Sequence, residues 1–125
     1  MPVVLVIDDD VMIRELLVLH LRNAGYDARS APDPAAGIKA VIDSPPDLVL
    51  LDVDMPYMSG LEVLRALKAD EHSRHIPVVM LTGRTDDETW MAANQAGANA
   101  YLTTPVNRDE LLSTLHKWVR NPGND

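Results

Sequence analysis

Three apolar runs in this chain each end on an oxygen-bearing side chain, and that ending restricts the possible folds more than any other feature. Leu48-Val49-Leu50-Leu51 stops at Asp52, with Asp54 and Pro56 close behind. Val3 to Ile7 stops at Asp8-Asp9-Asp10, and Ile76 to Leu81, broken only by Pro77, stops at Thr82-Gly83. Runs this short and this rich in Val and Leu read as strands buried on both faces, the habit of central strands in a parallel sheet. A carboxylate is costly to bury unless it is paired. An Asp closing such a run therefore belongs at the carboxyl end of its strand, the rim where ligands of open α/β sheets bind. The plainer role of the same residue is a turn former bonded to nearby amides.

Between these runs the period becomes helical. Ile13, Leu16, Leu17, Leu21 and Ala24 predict a helix from Val11, closed by Gly25 at a positive-φ cap. Tyr26 to Ala31 is short and mixed and suits an edge strand. Asp33-Pro34 starts a second helix to about Asp43, with Ala35, Ile38, Val41 and Ile42 as its apolar face. Capping boxes at Ser59/Glu62, Thr85/Glu88 and Asn107/Glu110 open three more helices. Gly97 closes the fourth helix, and Ala98 to Thr103 is the fifth strand. Five strands alternating with five helices over short loops predict a doubly wound parallel α/β sheet, in which strands one and three are neighbours at the switch point if the order is 2-1-3-4-5. Residues 1–120 form one domain, and 121–125 are a polar tail.

That topology brings Asp8, Asp9, Asp10, Asp52, Asp54, Thr82 and Thr104 to one rim. Clustered carboxylates raise one another's pKa unless a cation offsets them, and an oxygen-only set without Cys or His suits Mg²⁺. A carboxylate so placed can act as a nucleophile and take a phosphoryl group, and Asp52, at the middle of the rim, is the candidate. Thr82 would donate to a phosphoryl oxygen, with Gly83 leaving room. The net charge of −8 argues against direct nucleic-acid binding, which relies on Lys and Arg. The chain has no cysteine for disulfide or thiolate chemistry. No apolar run approaches a membrane span and no basic leader precedes Val3, so the expected compartment is the cytoplasm, with no membrane partner.

In order and spacing, Val6-Ile7-Asp8-Asp9-Asp10, Leu50 to Pro56 with Ser59-Gly60, Val79 to Gly83, and Gly97-Ala98 with Tyr101 resemble the receiver domain of two-component response regulators, the CheY-like, flavodoxin-like fold. The resemblance implies that Asp52 accepts phosphate from a histidine kinase or phosphotransfer protein. It implies that Asp9 and Asp52 bind Mg²⁺ by side chains, Asp54 by its backbone carbonyl, and Asp8 through water. Thr82 would be the switch hydroxyl, Tyr101 the aromatic that follows it, and helix four, strand five and helix five the face for a downstream protein. One position departs: the family's lysine before the proline that follows strand five is here Thr104, ahead of Pro105. A hydroxyl cannot supply that positive charge. Arg84 opposite Asp54 is a partial substitute or an exposed ion pair of little worth.

Trp118 and the methionines Met12, Met55, Met58, Met80 and Met91 are expected to pack; Trp90 belongs either to the core or to a partner surface. His20, His72, His75 and His116 show no metal or triad pattern. Three functional classes follow: a phosphorylatable signalling module rather than an enzyme, a phosphate-independent pseudo-receiver, and a small phosphatase. Asp52-Val53-Asp54 also resembles the nucleophile and acid of haloacid-dehalogenase-type phosphatases. That class expects a cap region and a downstream lysine, so it ranks last.

Overall fold

The structure, a computed structural model, describes residues 1–83 and 86–119. Arg84, Thr85 and the tail lie outside these residues, and with them the expected Asp54–Arg84 pair. Five parallel strands, β1 (Val3–Ile7), β2 (Asp27–Ala31), β3 (Leu48–Asp52), β4 (Val78–Thr82) and β5 (Ala100–Thr103), lie in the order β2-β1-β3-β4-β5. They alternate with α1 (Val11–Asn23), α2 (Pro34–Asp43), α3 (Gly60–Ala69), α4 (Asp87–Gln95) and α5 (Arg108–Trp118). The mixed segment forms the β2 edge, as its composition predicts.

Because side chains alternate across a strand, the apolar runs supply both faces of the sheet. Leu5, Ile7, Val49, Leu51, Val78 and Met80 pack with Val41 of α2, Val63, Leu64 and Leu67 of α3, and Ala93 of α4. Val4, Val6, Leu48, Leu50, Val79 and Leu81 pack with Leu17 and Leu21 of α1 and Leu111 and Leu115 of α5. No polar side-chain atom among the described residues is buried without a hydrogen-bond partner, as a well-formed core requires.

Helix starts follow local chemistry. Asp10, Asp33, Ser59, Asp86 and Asn107 are the N-caps of α1 to α5. The cap of α4 is therefore Asp86 and not Thr85: its carboxylate accepts from both the amide (2.9 Å) and the hydroxyl (2.8 Å) of Thr89. Gly25 and Gly97 take φ of 93° and 101°, as their positions after helices demand.

Two strands are shorter than their apolar runs. Pro77 has no amide to pair, and β4 begins at Val78 although Ile76 is buried. Ala98 is still tied to the end of α4 through Ala93 O at 3.0 Å, so β5 begins at Ala100.

The helical faces also need correction. Leu16 and Ile42 are exposed, as are Met12 and Met91, whereas Met80 and Met55 are buried. Trp118 packs partly buried against the α1/α5 side, and Trp90 is 49% exposed. Among the described residues, no helix is long and apolar enough to cross a membrane.

Candidate functional site: an acidic rim at the ends of β1 and β3

Strands β1 and β3 are neighbours, with Ile7 beside Leu51, so the residues that follow them meet. Oxygens of Asp8, Asp9 and Asp52 lie within 4.8 Å of one another. Their surroundings differ. Asp8 is 2% exposed, Asp52 is partly buried and Asp9 is open to solvent.

Burial pushes the Asp52 carboxyl up to about 7, helped by the charge of Asp8 and, after it, of Asp9; the Asp54 amide, 3.1 Å from Asp52 Oδ1, opposes this. Burial also raises Asp8, against an amide bond from Asp10 at 2.9 Å and with the charges of Asp9 and Asp10 behind it. Two carboxylates that hold their protons tightly because they are buried and also face like charge fit a hard divalent cation, which would replace proton and repulsion together. Among the described residues this is the only such grouping, and it contains no histidine.

Asp10 reached this rim in the sequence, but its carboxylate serves α1, accepting from the Met12 and Ile13 amides at 2.9 and 3.2 Å. Asp54 is exposed, and its amide points back to Asp52.

Across the switch point, Thr82 ends β4 at 1% exposure, and its carbonyl accepts from the Thr104 amide at 2.7 Å. A β-carbon on Gly83 would lie 3.5 Å from Thr104 Oγ1, so Thr104 borders the space Gly83 leaves open. The Thr104-Pro105 bond is cis. Tyr101, partly buried beside Met80 in the register, lines a cavity of about 170 Å³ with Trp90, Ala93 and Asn94.

None of the three lysines reaches the rim. Lys39 pairs with Asp43 on α2, and Lys117 lies 5.4 Å from the Trp118 ring. Lys68 is held by the carbonyls of Arg74 and Ile76 and by Asn99 Oδ1, and burial lowers its pKa.

Two supporting residues escape sequence reading. A β-carbon on Gly60 would come within 2.1 Å of the Asp52 carbonyl, so only glycine lets α3 start this close to the site. Ser59-Gly60 signalled a cap, but nothing in it signalled what lies opposite. Arg14 donates from Nη1 to the Asp8 carbonyl at 2.8 Å. Its six-residue reach backwards from an ordinary helical position carries no local signature.

The chain is 35% identical over 120 residues to the phosphate regulon transcriptional regulatory protein PhoB of Pseudomonas aeruginosa, covering 96% of this chain and 52% of that protein. It is 39% identical over 120 residues to the transcriptional regulatory protein KdpE of Mycobacterium tuberculosis, covering 96% and 52%. The chain thus spans about half the length of the curated relatives it matches. The chemotaxis protein CheY4 of Vibrio cholerae superposes with a TM-score of 0.90 at 31% identity, over 94% of this chain and 98% of that one. The family model described as the response regulator receiver domain matches residues 4–116, and with this fold and acidic rim the chain belongs to the response regulator receiver domains of two-component systems.

Proposed function

We propose that the chain is the phosphoacceptor of a two-component phosphorelay, in which Asp52 takes a phosphoryl group from a phosphohistidine on a histidine kinase or phosphotransfer protein. The observation that carries this reading is the meeting of Asp8, Asp9 and Asp52 within 4.8 Å beyond two adjacent buried strands. An oxygen of deprotonated Asp52 attacks phosphorus, the donor's P–N bond breaks with its electron pair staying on that nitrogen, and the ring leaves as neutral imidazole, its one proton already on the other nitrogen or taken up as it leaves. An acyl phosphate on Asp52 results.

Asp9 and Asp52 would hold Mg²⁺ through carboxylates, Asp54 through its carbonyl and Asp8 through water. When bound, the ion supplies the positive charge that offsets carboxylates and phosphoryl oxygens. Thr82 donates its hydroxyl to the phosphoryl group. In this reading the domain is a cytoplasmic signalling component rather than a turnover enzyme, and it carries the signal to a protein partner on the α4, β5 and α5 face with Tyr101 and Trp90.

Thr104 stands where the family has lysine, and the three lysines of this chain are engaged elsewhere. The added dianion therefore meets a hydroxyl where the family meets an ammonium, and coupling to Tyr101 is weakened or rewired. The same observation favours a second reading, a phosphate-independent interaction module.

Intact mass after incubation with a small-molecule phosphodonor and Mg²⁺ decides between them. One phosphoryl adduct, lost in Asp52→Asn and without Mg²⁺, is expected. No adduct in folded, Mg²⁺-binding protein leaves the interaction module. A Tyr101 environment that rearranges fully on phosphorylation overturns the weakened coupling.

A further inference from the structure

We infer that Arg14 is a positioning residue for the acidic rim: by tying α1 to the main-chain carbonyl of Asp8, it holds the β1–α1 turn in the shape that keeps Asp8 and Asp9 beside Asp52. The inference deepens the Mg²⁺ reading and rests on it. The Asp8 backbone is held at both ends, its amide donating to Ala31 O of β2 at 3.2 Å and its carbonyl accepting from Arg14 Nη1 at 2.8 Å. Asp10 is held in turn, with its amide on Asp8 Oδ1 at 2.9 Å and its carbonyl on the Arg14 amide at 2.9 Å. Arg14 thus closes a ring with its own first helical turn. Asp9 sits between two anchored residues, and its direction follows theirs.

A charged donor makes a shorter and stronger bond to a carbonyl than a neutral one, and the planar guanidinium fixes direction as well as distance. Yet a positive charge this near the rim opposes cation binding. Positioning and charge therefore act on Mg²⁺ affinity with opposite sign, and that separates them.

The test titrates Mg²⁺ by calorimetry into the full chain at fixed pH and ionic strength, comparing wild type with R14Q, R14M and R14K. R14M keeps the apolar stem, so packing is retained if R14Q folds poorly. Both removals are expected to weaken Mg²⁺ roughly tenfold, the order found when an orienting partner of a metal ligand is lost. R14K recovers part of that. Unchanged or tighter Mg²⁺ in R14Q and R14M overturns the inference, since charge alone then accounts for Arg14.

Amide exchange of Asp10 in metal-free protein provides a second readout. Faster exchange in R14Q and R14M sustains positioning, and exchange equal to wild type overturns it. Wild type that binds no Mg²⁺ removes the metal from the proposed function, and the exchange measurement then decides Arg14 separately.

Discussion

At the scale of single residues, Asp52 is the group whose chemistry and stability pull in opposite directions. Its carboxyl is held at about 7 against an ordinary 3.8, so the folded metal-free protein binds this proton more tightly than the unfolded chain does. The contribution of this one group to stability is then greatest at low pH, falls as pH rises from about 4 to about 7, and is level above. The cost at high pH is on the order of 2–4 kcal/mol. Asp52→Asn removes the charge and should stabilise the metal-free protein by roughly 2 kcal/mol at pH 8, with the gap closing at pH 5. Urea unfolding at the two pH values checks this. Mg²⁺ should then stabilise wild type more than Asp52→Asn.

Thr104→Lys tests the proposed lack of a lysine at this rim. An ammonium facing Gly83 should lower the Asp52 pKa by roughly one unit, read by carboxyl carbon NMR in metal-free protein. A pKa that does not move places residue 104 outside the field of the site.

At the scale of elements, the site depends on where helices begin. Gly60 lets α3 start against the Asp52 carbonyl, and Gly60→Ala forces a β-carbon into backbone only 2.1 Å away. We expect a loss of roughly 2–4 kcal/mol and a drop in Mg²⁺ affinity together, because α3 and Asp52 move as one. Loss of stability alone, with Mg²⁺ binding intact, separates the helix start from the site. Asp86→Ala removes the double cap on Thr89 and should cost about 1 kcal/mol without touching Mg²⁺ affinity, measured in the same two assays.

Elements were also where sequence reading succeeded best and failed most instructively. Strand runs, the caps Asp33, Ser59 and Asn107, and both positive-φ glycines follow from local residue order. The α4 cap was misplaced because Thr85 and Asp86 are both good caps, and a side-chain bond to Thr89 decides between them. Leu16 and Ile42 fit a helical period yet face solvent, since periodicity marks an apolar stripe and the neighbouring elements set how much of it is covered.

At the scale of the whole molecule, most of the exposed large apolar side chains stand on two helices, with Met1, Ile42 and Tyr57 apart from them. Val11, Met12, Leu16 and Leu19 stand on α1, where it leaves the acidic rim, and Trp90 and Met91 stand on α4. The fold does not need the first group. Met12→Lys with Leu19→Lys should leave stability within about 0.5 kcal/mol of wild type. If that face receives the donor protein, transfer from a phosphohistidine-bearing phosphotransfer domain should slow while phosphorylation by a small donor is unchanged. Equal slowing of both reactions assigns the effect to the site.

The sequence by itself determined the parallel sheet and the rim on which Asp8, Asp9, Asp52, Thr82 and Thr104 stand, because strand runs and helix periods are set by residues near one another in the chain and right-handed crossovers then put the strand ends on one side. Only the tertiary structure decided that Asp8 is buried while Asp9 is open, that Asp10 belongs to α1, that Gly60 and Arg14 hold the backbone of the site, and that no lysine comes near Thr104. Burial, proton affinity and contact are properties of distances through space, and elements far apart in the sequence set those distances together.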